Sequence, residues 1–195
     1  MRVISGTARG RVLKSIEGEA TRPTTDKVKE SIFNIIQFEI ADTRVLDLFG
    51  GSGQLAIEAI SRGAKSAVVC ENSKQASAVI KENVKKCGFE NEIRIHRGDF
   101  TDVLTKDSKY DVIFLDPPYN SGLLSRALEI IQTFDILSLN GIIVCETDGK
   151  YEIRDLKEPY KIRKEYKYGR IKLTVICKDQ MGKKDFQEEE KWQAE

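Results

Sequence analysis

Residues 44–60 restrict the fold more than any other part of the chain. They read Arg44-Val45-Leu46-Asp47-Leu48-Phe49-Gly50-Gly51-Ser52-Gly53, then Gln54-Leu55-Ala56-Ile57-Glu58-Ala59-Ile60. A short apolar run, a glycine turn and an amphipathic stretch in succession describe a strand, a tight turn and a helix. Glycines let the backbone turn sharply and leave space where a Cβ would meet a ligand. The turn delivers the chain into a helix N-terminus whose N–H groups face the crevice. In a doubly wound sheet ligands bind there, beyond the carboxyl ends of the strands. Gly51-x-Gly53-x-x-Ala56 satisfies the dinucleotide fingerprint, a weak pattern by itself. Asp47, at the strand's carboxyl end, argues for a different ligand. A carboxylate there repels a pyrophosphate and attracts an ammonium or sulfonium cation. S-adenosylmethionine carries both.

The same alternation continues downstream. Ser66–Glu71, Asn91–Arg97, Tyr110–Asp116 and Gly141–Thr147 read as strands, with helices over Lys74–Lys86 and Leu123–Phe134. Strands alternating with helices call for a mainly parallel sheet covered on both faces. Tyr160–Tyr168 and Arg170–Cys177 flank Gly169 as a β-hairpin, which adds one antiparallel strand and brings the expected sheet to seven. Ahead of this domain, residues 1–20 read as a small β-hairpin, with too few apolar side chains for a core of its own. A helix follows, with Thr24 or Thr25 as N-cap and Val28, Ile32, Ile35 and Ile36 on one face. The expected division is 1–40, a basic hairpin and helix; 41–177, the α/β domain; and 178–195, a charged tail, frayed or disordered.

Charge is balanced overall, at +1 with 32% charged residues, but not locally. Residues 1–29 hold seven Lys or Arg against three acids, and residues 161–172 hold six against one. Two basic patches on a neutral chain suggest an anionic partner met at one face. Cys70, Cys87, Cys145 and Cys177 form no CxxC pair and His96 is the only histidine, so reduced thiols in the cytoplasm and no metal are expected. No apolar run approaches the length of a membrane span.

Three acids end successive strands: Asp47, Glu71 and, one turn later, Asp99. Glu71 stands about twenty residues beyond the glycines, where an acid accepts hydrogen bonds from ribose hydroxyls. Asp99 can reach an adenine amino group, with Phe100 against the ring. The cofactor site expected on this rim comprises Asp47, Phe49, Gly50, Gly51, Gly53, Glu71, Asn72, Asp99 and Phe100. Asp116-Pro117-Pro118-Tyr119 supplies the chemistry. Two prolines cannot continue a ladder, so the chain leaves the sheet in a stiff turn. The Asp116 carboxylate and the Pro117 carbonyl are acceptors suited to an exocyclic amine, and Tyr119 offers a face on which a base can stack. Holding both amine hydrogens favours the pyramidal, nucleophilic nitrogen, and positioning supplies much of the remaining rate.

With these residues in view, the chain resembles class I S-adenosylmethionine-dependent methyltransferases, and more narrowly the bacterial 16S ribosomal RNA guanine-N2 methyltransferase family. The resemblance runs from Arg2 to about Cys177. It rests on Arg2-Val3-Ile4-Ser5-Gly6 with Arg9-Gly10-Arg11, on Arg22-Pro23-Thr24-Thr25-Asp26-Lys27-Val28-Lys29-Glu30, and on the glycine and Asp-Pro-Pro-Tyr motifs. The segment from Arg22 is its family-specific part; Gly50 stands where the family usually has alanine. The resemblance implies a Rossmann-like fold and a monomeric enzyme that binds S-adenosylmethionine on the strand-end acids. It also implies that Asp116 to Tyr119 meet the target base and that Arg2, Arg9, Arg11 and Arg22 hold phosphates of ribosomal RNA or the small subunit. An adenine-N6 methyltransferase needs the same two acceptors. An NAD(P)-dependent oxidoreductase shares the glycine turn but not Asp47, and a non-catalytic RNA-binding module has no use for both motifs.

Overall fold

The computed structural model describes residues 1–16, 26–119 and 121–179. The expected caps Thr24 and Thr25 lie outside the described residues, as does the expected 178–195 tail from residue 180 on; Lys178, assigned to that tail, is instead buried as the last residue of the final strand. In chain order the elements are α1 (Asp26–Ile35), β1 (Arg44–Asp47), α2 (Gln54–Ser61), β2 (Ser66–Glu71), α3 (Lys74–Cys87) and β3 (Ile93–Arg97). A 3-10 turn (Phe100–Val103) follows, then β4 (Tyr110–Leu115), α4 (Leu123–Thr133), β5 (Leu137–Asp148), β6 (Tyr160–Tyr168) and β7 (Ile171–Lys178). The seven strands form one sheet in the order β3-β2-β1-β4-β5-β7-β6. All neighbours are parallel except at β7, which runs against both β5 and β6. This is the Rossmann-like architecture expected, and the order reverses between β1 and β4, where a crevice opens beyond the strand ends.

The strand alternation sorts the core into two layers. Val45, Phe114 and Val144 face α1, α2 and α3 on one side. Leu46, Ile113 and Ile143 face α4 and Phe100 on the other. On α1 the buried face is Val28, Lys29, Ile32 and Phe33. Phe33 stacks obliquely on Phe114 with centroids 5.7 Å apart, and truncating so buried a ring costs about 3–5 kcal/mol. Ile35, expected on the buried face, is partly buried and packs against the core, while Lys29 and Phe33 join Val28 and Ile32 as buried residues.

Residues 1–16 do form an antiparallel pair, but a minimal one: a single bridge, Arg2 to Val12, supported by Val3 N–H donating to the Arg11 carbonyl at 3.0 Å. The segment lies on α2 instead of extending its own ladder. Glu58 accepts from the Ile4 and Ser5 N–H groups at 2.8 and 2.9 Å, and Ser61 Oγ accepts from Ala8 N–H at 2.9 Å. Gly6, at φ +81°, sits so close that a Cβ would fall 1.6 Å from the Ser61 carbonyl oxygen. Val3, Ala8 and Leu13 join the main core.

Candidate active site

The carboxyl ends of β1, β2 and β4 surround a cavity of about 460 Å³, a size that suits a nucleoside-bearing ligand. Its walls bring together Asp47, Phe49, Gly50, Gly51, Glu71, Asn72, Asp99, Phe100, Asp116 and Pro118. Gly53 is not on the wall. It holds a left-handed conformation at the N-cap of α2, where a Cβ would press on Ile80 at 3.0 Å. A Cβ on Gly50 would lie 2.3 Å from Val69 Cγ1, so the alanine usual in the resembling family would require the Val69 side chain to move in this chain.

Asp47 is fully buried, and its Oδ1 has no hydrogen-bond partner. Burial first, then the neighbouring Asp116 and Glu71 carboxylates, push its carboxyl up to about 7. A buried carboxylate with an unsatisfied oxygen is costly. Here that oxygen belongs to a residue lining the cavity, and the deficit is one that a cation would meet. The donor set therefore fits the charged end of S-adenosylmethionine and disfavours a pyrophosphate.

Glu71 spans the two loops of the site. Its Oε2 accepts from Gly51 N–H at 2.9 Å and its Oε1 from Ser73 N–H at 2.7 Å. Asp99 caps the 3-10 turn, with Oδ1 accepting from Thr101 N–H and Oγ1 at 2.9 and 2.7 Å; those hydrogen bonds hold its carboxyl below the usual aspartate range. Phe49 and Phe100 meet obliquely at 5.5 Å, and the Arg126 guanidinium lies 5.6 Å from the Phe100 centroid, giving this side of the cavity an aromatic wall.

Asp116 follows β4 directly, half-buried on the cavity wall. Pro117 is buried and off the wall; Tyr119, 43% exposed, stands outside the cavity with its hydroxyl 3.5 Å from Glu146 Oε1 on β5. Of the expected phosphate contacts, Arg2 and Arg9 are exposed. Arg11 is also exposed but donates to the Lys86 carbonyl. Arg22 lies outside the described residues.

Sequence reasoning missed several participants. Met1, Ser15 and Ile16 line the cavity, and nothing in their identities signals it. Asn83, buried on α3, ties this segment down: its Oδ1 accepts from Lys14 N–H and its Nδ2 donates to the Lys14 and Ser52 carbonyls. A second cavity, about 450 Å³, lies between α4 and residues 151–157. It mixes three basic with three acidic side chains and none of the strand-end carboxylates. Among the described residues no cluster of His, Cys, Asp or Glu is placed to hold a metal, and no helix is long and apolar enough to cross a membrane.

Comparisons with known proteins point the same way. The model of a family described as conserved hypothetical protein 95 matches residues 1–177. A Bacillus subtilis protein named as a candidate rRNA methyltransferase is 39% identical over 182 residues, 91% of this chain and 99% of that protein. Ribosomal RNA small subunit methyltransferase D of Haemophilus influenzae is 36% identical over 152 residues, 76% of this chain and 79% of that one. Among solved structures, one described as a candidate methyltransferase from Escherichia coli superposes with a TM-score of 0.83 at 28% identity, covering 92% of this chain and 98% of that one.

Proposed function

Because the chain belongs to the conserved hypothetical protein 95 family, we propose that it transfers the methyl group of S-adenosylmethionine to the exocyclic N2 of a guanine in small-subunit ribosomal RNA. The observation that carries this reading is the buried Asp47 carboxylate, with an unpartnered oxygen, in one cavity with Glu71, Asp99 and Asp116. Asp47 would hold the cationic end of the cofactor, Glu71 the ribose hydroxyls, and Asp99 with the Phe49–Phe100 wall the adenine. When bound, the cofactor supplies an electrophilic methyl group on a sulfonium.

Asp116 and the Pro117 carbonyl would accept the two amine hydrogens of the guanine, turning the nitrogen lone pair toward that methyl. Tyr119, exposed beside them, would stack on the base. The base must leave its own stack to arrive there, which is least costly in a loop or bulge. The nitrogen would become cationic as the carbon–nitrogen bond forms and the methyl carbon–sulfur bond breaks, the electron pair staying on sulfur as a neutral thioether leaves. The surplus proton would then pass to water, so no strong base is required. A substrate of this kind sets the enzyme to work in the cytoplasm.

The test is methyl transfer from labelled S-adenosylmethionine to small-subunit RNA, naked and as assembled particle, with the product nucleoside identified. N2-methylguanosine is expected. N6-methyladenosine would keep the cofactor site and reassign the substrate; no transfer to either form of the RNA would overturn the reading.

A further inference from the structure

We propose that the tip of the β6–β7 hairpin, carrying Lys167 and Arg170 together with Lys150, is a phosphate-binding surface for the RNA strand flanking the target nucleotide. The inference rests on the RNA reading above. It starts from the basic run 161–172, which the cavity does not use.

Two antiparallel pairings in succession return β6 to the direction of β4 and β5, so its carboxyl end emerges on the rim where the cavity opens. The register shows how near. Glu146, Leu173 and Tyr166 form one row across β5, β7 and β6, and Asp148, Ile171 and Tyr168 form the row nearer the rim. The Tyr119 hydroxyl reaches Glu146 in the first row. With strands about 4.8 Å apart, the tip begins about 10 Å across the sheet from β5, within reach of neighbouring nucleotides. Gly149 N–H donates to the Arg170 carbonyl at 2.8 Å, and Lys150 N–H donates to Asp148 Oδ1 at 3.0 Å, so the turn after β5 is bound to the hairpin tip.

Charge is distributed unevenly along the strand pair. At the end far from the rim, Lys161 pairs with Asp179, Arg163 with Glu39 and Lys178 with Asp135. Glu165, the one acid of the run, is taken by Lys172 at 3.0 Å. Lys164, midway along β6, makes no ion pair among the described residues but lies over the Tyr166 ring, 5.1 Å from its centroid. At the rim, Lys150, Lys167 and Arg170 are exposed and make neither an ion pair nor an aromatic contact among the described residues. Lysines placed only to block edge-to-edge aggregation would serve anywhere along β6. Unpaired cations gathered at the catalytic end match a polyanion that reaches the site from that side.

The experiment compares the full-length protein with Lys167→Glu/Arg170→Glu and with Lys161→Glu/Arg163→Glu, which carries the same charge change at the far end of the same strand. Binding to naked small-subunit RNA is measured against salt, with S-adenosylmethionine affinity and methyl transfer alongside. The rim variant should bind RNA at least about tenfold more weakly and lose about 1 to 2 from the slope of log affinity against log salt. Its cofactor affinity should stay unchanged, and the far-end variant should stay near wild type. Equal losses in both variants, or no loss in the rim variant, would overturn the proposal. A wild type that methylates the RNA while the rim variant binds it normally refutes this surface alone. A wild type that transfers no methyl refutes the functional reading as well.

Discussion

Asn83 on α3 donates its side-chain amide to the Ser52 carbonyl, inside the glycine turn, at 2.9 Å. The same side chain pairs with both backbone groups of Lys14, so one buried residue fastens the N-terminal segment to the loop expected to hold the cofactor. Ser15 and Ile16, next along the chain, then form part of the cavity wall.

Asn83→Ala should therefore do two things at once. It leaves buried backbone groups without partners, a loss of about 1–3 kcal/mol that lowers the melting temperature. It also frees the wall, so affinity for S-adenosylmethionine should fall roughly tenfold, the equivalent of about 1.4 kcal/mol. Calorimetric titration beside thermal melting separates the effects. A lower melting temperature with unchanged cofactor affinity would mean that residues 14–16 contribute nothing to binding.

Asp47 predicts a pH dependence with a definite sign. Its folded value, about 7, lies above the ordinary 3.8, so between those values the native state keeps a proton that the unfolded chain has lost. The stability this contributes is complete below about pH 4 and is lost as pH rises through 7; at 1.36 kcal/mol per unit its ceiling is about 4 kcal/mol. A bound cation reverses the preference. Binding should release a proton near neutrality, and cofactor affinity should weaken as pH falls from 8 to 6. Asp47→Asn should flatten that profile, weaken binding, and be more stable than wild type without cofactor at pH 8. Proton release read by titration in buffers of different ionisation enthalpy checks this; cofactor binding without proton release at pH 7 rules it out.

Much of this frame could be read from the residues themselves. Asp47, Glu71 and Asp116 stand at or just beyond the ends of apolar runs with strand period, and a parallel sheet must deliver such ends to one rim. Burial of charge was the illegible part. Lys29 on a helix reads as a solvated side chain, yet it is fully buried because Glu58, 29 residues later, lies beneath it. Glu146 lies within a continuous β5 run, so no local pattern distinguishes it from a strand-end acid. The N-terminal segment shows only a weak alternation because its hold on the domain comes from Glu58, Ser61 and Asn83, not from a ladder.

At the reacting end, Asp116→Ala should lower kcat by about 10²–10³, the loss typical when one positioned hydrogen-bonding group is removed, with cofactor binding retained. Tyr119→Ala should weaken RNA binding by about 1–3 kcal/mol of lost stacking. Tyr119→Phe keeps the ring and should keep most of the affinity, while losing the hydroxyl contact to Glu146. Near-normal turnover by Asp116→Ala would remove the acceptor role from this turn.

The buried pair under the N-terminal segment should respond asymmetrically. Lys29 Nζ lies 3.6 Å from Glu58 Oε2 and donates to the Arg2 carbonyl. Burial lowers its pKa, while the Glu58 charge pulls it back up. Glu58 also accepts from Ile4 N–H, Ser5 N–H and Arg62 Nε. Lys29→Met removes one cation and leaves Glu58 with three donors, so its cost should be small. Glu58→Gln leaves the buried ammonium with only the half-exposed Asp26 carboxylate, 3.9 Å away, as counter-charge, and should cost about 3–5 kcal/mol. Its deficit should shrink as pH rises toward 10, because Lys29, no longer held charged by Glu58, can then lose its proton. The double variant should be more stable than the sum of the singles predicts, since it removes the stranded charge as well as its partner. Denaturant unfolding of the four proteins at two pH values decides the matter. Equal losses for Lys29→Met and Glu58→Gln would show that the pair acts through packing rather than charge.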